Sequence, residues 1–257
     1  MSYLKLSGKV ALVTGAGRGI GRSIAVRFAQ EGSEMILVDV DNATVSEVAR
    51  DIENKGRKTM AFTADVSNFS DVQDLVEKSI AGFGKIDVLV NNAALAPVKS
   101  FFEESRDSWN RICAVNMGGY FNCSLLVAKE MVKRREGKII NISSIAAERP
   151  TPNQVLYAAS KGWTSTFTKA LAIDLAPYKI NVNAIAPGST YTPWMKMVLS
   201  AENLESREKA IPMGGLSRPE DIAAAALFLA SEEANRITAT ILTVDGGEVT
   251  VRWPRTQ

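Results

Sequence analysis

The sequence predicts an α/β fold, a single doubly wound domain built on a seven-stranded parallel sheet with helices on both faces. Three observations predict it. Short apolar runs alternate with longer amphipathic stretches along the whole chain. The runs lack strict polar alternation, as strands covered on both faces do. No internal repeat, low-complexity block or long linker interrupts the 257 residues, so 1–257 reads as one domain.

The strands fall at 9–14 (KVALVT), 34–39 (EMILVD), 58–63 (KTMAFT), 86–91 (IDVLVN), 138–143 (KIINIS), 180–186 (INVNAIA) and 240–245 (TILTVD). Helical patterns lie between them at 19–31, 44–55, 68–82, 107–134, 153–175 and 219–231. Strand followed by helix, repeated, gives parallel pairing with right-handed crossovers. The stretch 188–215 fits neither period and is longer than most loops, which marks it as a functional lid.

Composition removes several classes of function. Thirty basic against 28 acidic side chains give a net charge of +2, with no basic stripe for nucleic acid. The longest apolar run, Ala223 to Ala230, is far short of the roughly 18–20 residues of a membrane span. The first thirty residues lack the pattern of a secretory signal, so a cytoplasmic protein is expected. There is no histidine at all. That excludes Ser-His-Asp and Cys-His nucleophiles and HExxH zinc sites, and no metal site is expected. Acid–base work must fall to Tyr, Lys, Asp, Glu or Cys. Cys113 and Cys123, ten residues apart on one expected helix, would be about 15 Å apart. A disulfide needs Cα atoms within about 7 Å, so both read as small buried hydrophobes.

Thr14-Gly15-Ala16-Gly17-Arg18-Gly19-Ile20-Gly21 joins the first strand to the first helix. Glycines let the backbone turn sharply and approach a pyrophosphate, while the helix start supplies unpaired N–H groups and a positive dipole end. The spacing departs from the common G-x-G-x-x-G. An acidic residue, Asp39, ends the second strand eighteen positions after Gly21. A carboxylate there accepts bonds from adenosine ribose hydroxyls and repels a 2′-phosphate, so a Rossmann-type site for NAD is favoured over NADP. Arg18 argues the other way, although a pyrophosphate counter-charge or solvated side chain suits it as well. Asp65, after the third strand, can bond an adenine amino group or enter a helix as a cap.

Tyr157-Ala158-Ala159-Ser160-Lys161 places Tyr and Lys at i and i+4, on one helical face. An ammonium about 4 Å from a phenol is worth roughly 4 kcal/mol at an effective dielectric of 20, before desolvation subtracts. That favours the phenolate and makes Tyr157 the best acid–base candidate in a chain without histidine. A packed tyrosine beside a snorkelling lysine is the alternative. Context favours chemistry: Ser143-Ser144 ends the fifth strand and Asn91-Asn92-Ala93-Ala94 the fourth, both at the rim where doubly wound sheets bind ligands. Asn116 lies mid-helix, where Asn is a poor helix former and marks a distortion or a bound water.

These motifs, in this order and spacing, resemble the short-chain dehydrogenase/reductase family from Lys9 to Gly247, through TGAGRGIG, NNAA, the Asn-Ser-Tyr-Lys set, Pro187-Gly188 with Thr192, and Asp245-Gly246-Gly247. The resemblance implies that Tyr157 is the general acid/base and that Ser144 orients the substrate oxygen. Lys161 would lower the tyrosine pKa and bond the nicotinamide ribose, and Asn116 would hold a connecting water. Gly15, Gly19 and Ile20 would line the pyrophosphate, Asp39 the adenosine ribose, Asp65 and Val66 the adenine, and Asn92 the adjoining backbone. Pro187, Gly188 and Thr192 would seat the carboxamide end. It also implies a homotetramer, or a dimer, built from the helices at 107–134 and 153–175. Gly118-Gly119 suits close helix approach, at an interface or inside the fold. Three departures stand out: NNAA for a motif usually ending in Gly, Asn181 where Arg is common, and Ala239 where Gly is frequent.

The expected activity is NAD(H)-dependent interconversion of a secondary alcohol and a ketone. A 3-oxoacyl-[acyl-carrier-protein] reductase is the nearest alternative, opposed by Asp39 because such enzymes usually take NADPH. A dinucleotide-binding regulator without catalysis is the alternative from another class. Pocket walls are expected from 95–98, 146–149 and the lid residues Trp194, Met195, Met197, Val198 and Leu199. Arg149 could meet an acidic substrate group or be solvated surface.

Overall fold

The computed structural model describes residues 5–198 and 200–250. Seven parallel strands form one sheet in the order β3-β2-β1-β4-β5-β6-β7. They are β1 (Val10–Thr14), β2 (Glu34–Asp39), β3 (Thr59–Thr63), β4 (Val88–Asn91), β5 (Gly137–Ile142), β6 (Ile180–Pro187) and β7 (Ile241–Val244). Chain order reverses between β1 and β4, so the crevice of a doubly wound sheet opens beyond their carboxyl ends. The central strands β1, β2 and β4 are almost wholly buried, as their unbroken apolar runs require. The edge strands β3 and β7 are only half-buried, which departs from the expectation of cover on both faces. An edge strand has a neighbour on one side only, so less of its surface is enclosed.

Helices α1 (Gly19–Gln30), α2 (Asn42–Glu53), α3 (Phe69–Phe83), α4 (Arg106–Ile112), α5 (Gly119–Arg134), α6 (Val155–Leu175), α7 (Pro193–Val198), α8 (Ala201–Ala210) and α9 (Pro219–Ala230) fill the connections. On one face α1, α2 and α9 bury Ile24, Phe28, Val45, Ile52 and Leu227 with the sheet residues Val13, Leu37 and Val90. On the other, α3, α5 and α6 bury Leu75, Val127, Met131 and Ala172 against Leu12, Ile36, Leu89 and Val182. Side chains alternate along each strand, so successive residues serve opposite cores.

Two expected elements are resolved differently. The helix expected at 107–134 is α4 and α5 joined by a π-helical segment, Cys113–Gly118, with Asn116 in it. The wider turn is the distortion that a mid-helix Asn suggested. The stretch 188–215 contains α7 and α8, short helices whose weak periodicity hid them. Of the glycine pair, Gly119 serves internal packing: an added Cβ would lie 2.6 Å from Val66 Cγ2. Cys123 is buried, and burial pushes its thiol up to about 12, whereas Cys113 is half-buried rather than enclosed.

Ala239 takes φ 63°, the left-handed region that disfavours a Cβ. Its N–H donates to Val182 O at 2.8 Å and leads into β7, so the conformation is held by the sheet. Ala239→Gly is therefore expected to raise stability by about 1 kcal/mol, read as a higher urea midpoint at unchanged slope. The Asn181 departure is met locally, since its Nδ2 donates to Ile237 O at 2.9 Å and Asn235 O at 3.2 Å.

Candidate active site

A crevice at the carboxyl ends of the strands is lined on the β1–β2 side by Gly15, Arg18, Gly19, Ile20 and Asp39, with Thr192 against Gly19, and beyond β5 by Ser144, Tyr157 and Lys161. The glycine turn is built by side chains from β1 and β4. Asn92 Nδ2 donates to Thr14 O at 2.9 Å and to Gly15 O at 3.1 Å. Thr14 Oγ1 accepts from the N–H groups of Asn92 and Ala93. Gly15 has φ 63°, and a Cβ there would lie 2.8 Å from Asn92 Nδ2. Gly19 has φ 55°, and its missing Cβ would point across the crevice, 3.5 Å from Thr192 Cγ2.

Arg18 occupies the N-cap of α1 without a capping side-chain bond. The first turn of that helix thus presents backbone donors at the crevice with no side chain satisfying them, an arrangement suited to an anionic oxygen. Asp39 is buried at the end of β2, where Oδ2 accepts from Gly17 N–H at 2.9 Å and Oδ1 from Asp41 N–H at 3.1 Å. Each oxygen keeps accepting capacity toward the crevice. These residues fit the adenosine and diphosphate portions of a dinucleotide.

Asp65 and Val66 line the same end, but the Asp65 carboxylate is already engaged. It accepts from Ser67 N–H at 2.9 Å and Ser67 Oγ at 2.7 Å, and pairs with Arg111 at 3.0 Å. Burial alone would raise its pKa; the Ser67 and Arg111 contacts outweigh that and hold it below the usual range. Nor is it the helix cap, because Asn68 caps α3. Arg111, a wall residue in the π-interrupted helix, carried no motif in the sequence.

At the reacting end, Tyr157 and Lys161 project one turn apart from α6, and both line the crevice. Lys161 is 2% exposed. Its Nζ donates to Ile142 O at 2.7 Å and Tyr120 Oη at 3.3 Å, and lies 5.7 Å from the Tyr157 ring centroid. The expectation of a phenol made acidic by an ammonium about 4 Å away is corrected here. Burial raises the Tyr157 pKa above its ordinary value, and the hydrogen bond with Ser144 only partly offsets it. Burial also draws Lys161 down to about 7. Desolvation disfavours both charged forms.

Ser144 heads a 3₁₀ turn, Ile145–Ala147, where its Oγ accepts from Ala146 N–H at 3.1 Å. Asn116 is 0% exposed and stands behind the crevice wall rather than in it. Its Oδ1 accepts from Leu95 N–H at 2.8 Å, and its Nδ2 donates to Leu95 O and Ser160 Oγ, both at 2.9 Å. These bonds tie the segment after β4 to α6. Pro187 ends β6, and Gly188 follows where a Cβ would meet Asp245 Cβ at 2.5 Å. Thr192 Oγ1 accepts from Met195 N–H at 3.3 Å at the start of α7.

Beside the crevice lies a cavity of about 310 Å³ that shares Ser144, Tyr157, Trp194 and Met195 with it. Ala96, Val98, Ile145 and Ala146 give it apolar walls. Two arginines enter it: Arg149 donates to Glu248 O, and Arg207 to Ser189 Oγ at 3.1 Å. Buried Glu248 accepts from Ser189 N–H and Oγ, both at 2.7 Å. Sequence reasoning missed Ser189, Arg207 and Glu248, which fit no spaced motif. Leu199 and the Val198 side chain lie outside the described residues.

The chain is similar to known proteins over nearly its whole length. A family model described as enoyl-(acyl carrier protein) reductase matches residues 15–248. The chain is 36% identical over 246 residues to a 3-oxoacyl-[acyl-carrier-protein] reductase of Thermotoga maritima, covering 96% of this chain and 100% of that one. It is 38% identical to the 7alpha-hydroxysteroid dehydrogenase of Escherichia coli, covering 96% of each. A solved structure of a 7 alpha-hydroxysteroid dehydrogenase, complexed with NADH and 7-oxo glycochenodeoxycholic acid, superposes with a TM-score of 0.92 at 37% identity, over 95% of this chain and 96% of that one. A 3-ketoacyl-(acyl-carrier-protein) reductase from Brucella melitensis, complexed with NADH, gives 0.89 at 38%, over 95% and 99%. By these similarities the chain is an oxidoreductase, with a Rossmann-type sheet. The chain belongs to the short-chain dehydrogenase/reductase family.

Proposed function

We propose that this oxidoreductase uses NAD(H) to interconvert a secondary alcohol and a ketone, with Tyr157 as general acid/base. The observation that carries the proposal is the meeting of Ser144, Tyr157 and Lys161 in a crevice whose far end holds the glycine turn and Asp39. A nicotinamide bound there supplies or accepts the hydride. Gly15, Arg18, Gly19, Ile20 and Asp39 hold the dinucleotide at its adenosine and phosphate end. Pro187 and Gly188 follow β6 and line the same crevice, and Thr192 faces Gly19 across it.

In the reducing direction, the Ser144 hydroxyl donates to the carbonyl oxygen and holds it against the Tyr157 hydroxyl. Tyr157 then gives its proton to that oxygen as negative charge develops. The raised phenol pKa keeps this proton in place at neutral pH. The Lys161 ammonium, in its charged form, stabilises the phenolate left behind. Asn116 keeps α6 and the Leu95 segment in register through Ser160.

The apolar walls of the adjoining cavity suit an aliphatic or cyclic substrate. The reading as a 3-oxoacyl-[acyl-carrier-protein] reductase is favoured by the Thermotoga and Brucella relatives, and Asp39 opposes it if NADPH is required. Steady-state rates with NADH and NADPH on one ketone panel separate the two. NADH is expected to be preferred, and an NADPH preference above about tenfold would overturn the cofactor assignment. Trp109, Phe121 and Ile173 leave large apolar surface exposed on the helices expected to build a homotetramer, and this supports that assembly. No helix among the described residues is long and apolar enough to cross a membrane. A cytoplasmic location belongs to the same proposal.

A further inference from the structure

Behind the reactive pair stands a tyrosine that no motif singled out. Tyr120 projects from α5, is 1% exposed and, among the described residues, has the greatest volume of the fully buried side chains. Its hydroxyl donates to Ile142 O at 2.9 Å and accepts from Lys161 Nζ at 3.3 Å. Lys161 Nζ donates to the same Ile142 O at 2.7 Å, so the three polar atoms close a triangle at the carboxyl end of β5. The ammonium also lies 5.2 Å from the Tyr120 ring centroid. Phenylalanine would fill nearly the same volume, so packing alone does not call for the hydroxyl.

We infer that Tyr120 is a positioning residue whose hydroxyl and ring clamp the Lys161 ammonium against the Ile142 carbonyl, beside Tyr157. The inference rests on the acid–base reading of Tyr157 proposed above. An ammonium has three donors and needs acceptors when it leaves water. Among the described residues no carboxylate pairs with Lys161, so two neutral oxygens, Ile142 O and Tyr120 Oη, carry the task. The ring adds a cation–π attraction, which is stronger where water is excluded.

The groups facing Lys161 are Tyr157 on its own helix, Tyr120 on α5, with Cys123 next to it, and the Ile142 carbonyl of β5. Burial raises Tyr120 well above its ordinary value, with further contributions from Tyr157 and Cys123, so its proton stays in place through the working range. Burial likewise keeps Cys123 neutral. Lys161 is the member of this set that titrates near neutrality. Removing the Tyr120 oxygen removes an acceptor that favours the charged amine, so the amine loses its proton at lower pH.

The test compares wild type, Tyr120→Phe, Lys161→Met and the double variant in carbonyl reduction across pH. The missing bond to a charged group should lower the proton affinity of Lys161 about tenfold. For Tyr120→Phe, kcat should then fall about fivefold at pH 7 and recover toward wild type near pH 5.5. KM for the carbonyl should stay within about twofold. The double variant should be no slower than Lys161→Met, since the hydroxyl acts through the lysine. A second readout needs no bound cofactor: NMR titration of 13Cε-labelled lysine, with Lys161 assigned by its absence in Lys161→Met. Its midpoint should lie near 7 in wild type and lower in Tyr120→Phe.

An unchanged pH profile, or a pH-independent loss that multiplies with Lys161→Met, would overturn the inference. So would a Lys161 midpoint that does not fall in Tyr120→Phe or, should that variant not fold, in Tyr120→Met. A wild type that reduces no carbonyl would sink the Tyr157 reading instead, and the NMR titration would still decide the clamp.

Discussion

Tyr157→Phe is expected to lower turnover by roughly 100-fold or more and to leave NADH affinity within a few-fold. The substitution deletes one oxygen and keeps the ring that lies 5.7 Å from Lys161 Nζ. The glycine turn and Asp39 sit at the other end of the crevice and make no contact with that oxygen, so cofactor binding is spared. The chain has no histidine to take over the proton. Ser144 stays in place through its bond from Ala146 N–H, and a serine hydroxyl is a far weaker acid than a phenol. Steady-state rates with a fluorescence titration of NADH separate turnover from binding. A variant that retains most of its turnover would remove Tyr157 from the proposed role.

Asp39→Ala is expected to shift the ratio of NAD to NADP use by about 100-fold toward NADP, mostly through lost NAD affinity. Loss of the proposed charge-assisted bonds to two ribose hydroxyls would lower NAD use, and removal of repulsion toward a 2′-phosphate would raise NADP use. The carboxylate also accepts from Gly17 N–H and Asp41 N–H, so alanine loosens the turn as well. Asp39→Asn separates these effects, because it keeps an acceptor at nearly the same shape and removes the charge. It should move the preference in the same direction with less loss of stability. A preference that neither variant changes would refute the carboxylate argument.

The strand positions were legible because the central strands are buried on both sides, so each reads as an unbroken apolar run that ends where the chain turns. The glycine turn was legible because backbone freedom at Gly15 and Gly19 leaves a mark on composition, and the structure gives both positive φ. What escaped notice lacks such a mark. The helices α7 and α8 are short, and α8 is largely polar, so no period builds up. Tyr120, Arg111 and Glu248 come to the site through the topology of the sheet, from positions that share no spacing with the Tyr-Lys pair. Direction of charge was a further limit: i and i+4 place Tyr157 and Lys161 on one face, but spacing cannot say that the ammonium turns to Ile142 O and Tyr120. Hence the phenol expected to be acidified is a buried one with a raised pKa. The NNAA motif keeps its work through Asn92, whose amide holds the turn, while the strain of the third departure falls on Ala239.

The most direct measurement follows deuterium from NADH labelled at its transferable position into a ketone panel, with products read by mass spectrometry. Wild type should form a secondary alcohol carrying the label at the former carbonyl carbon, and Tyr157→Phe should not. Binding of NADH with no label transferred to any carbonyl, by a chain shown to be folded, would contradict it.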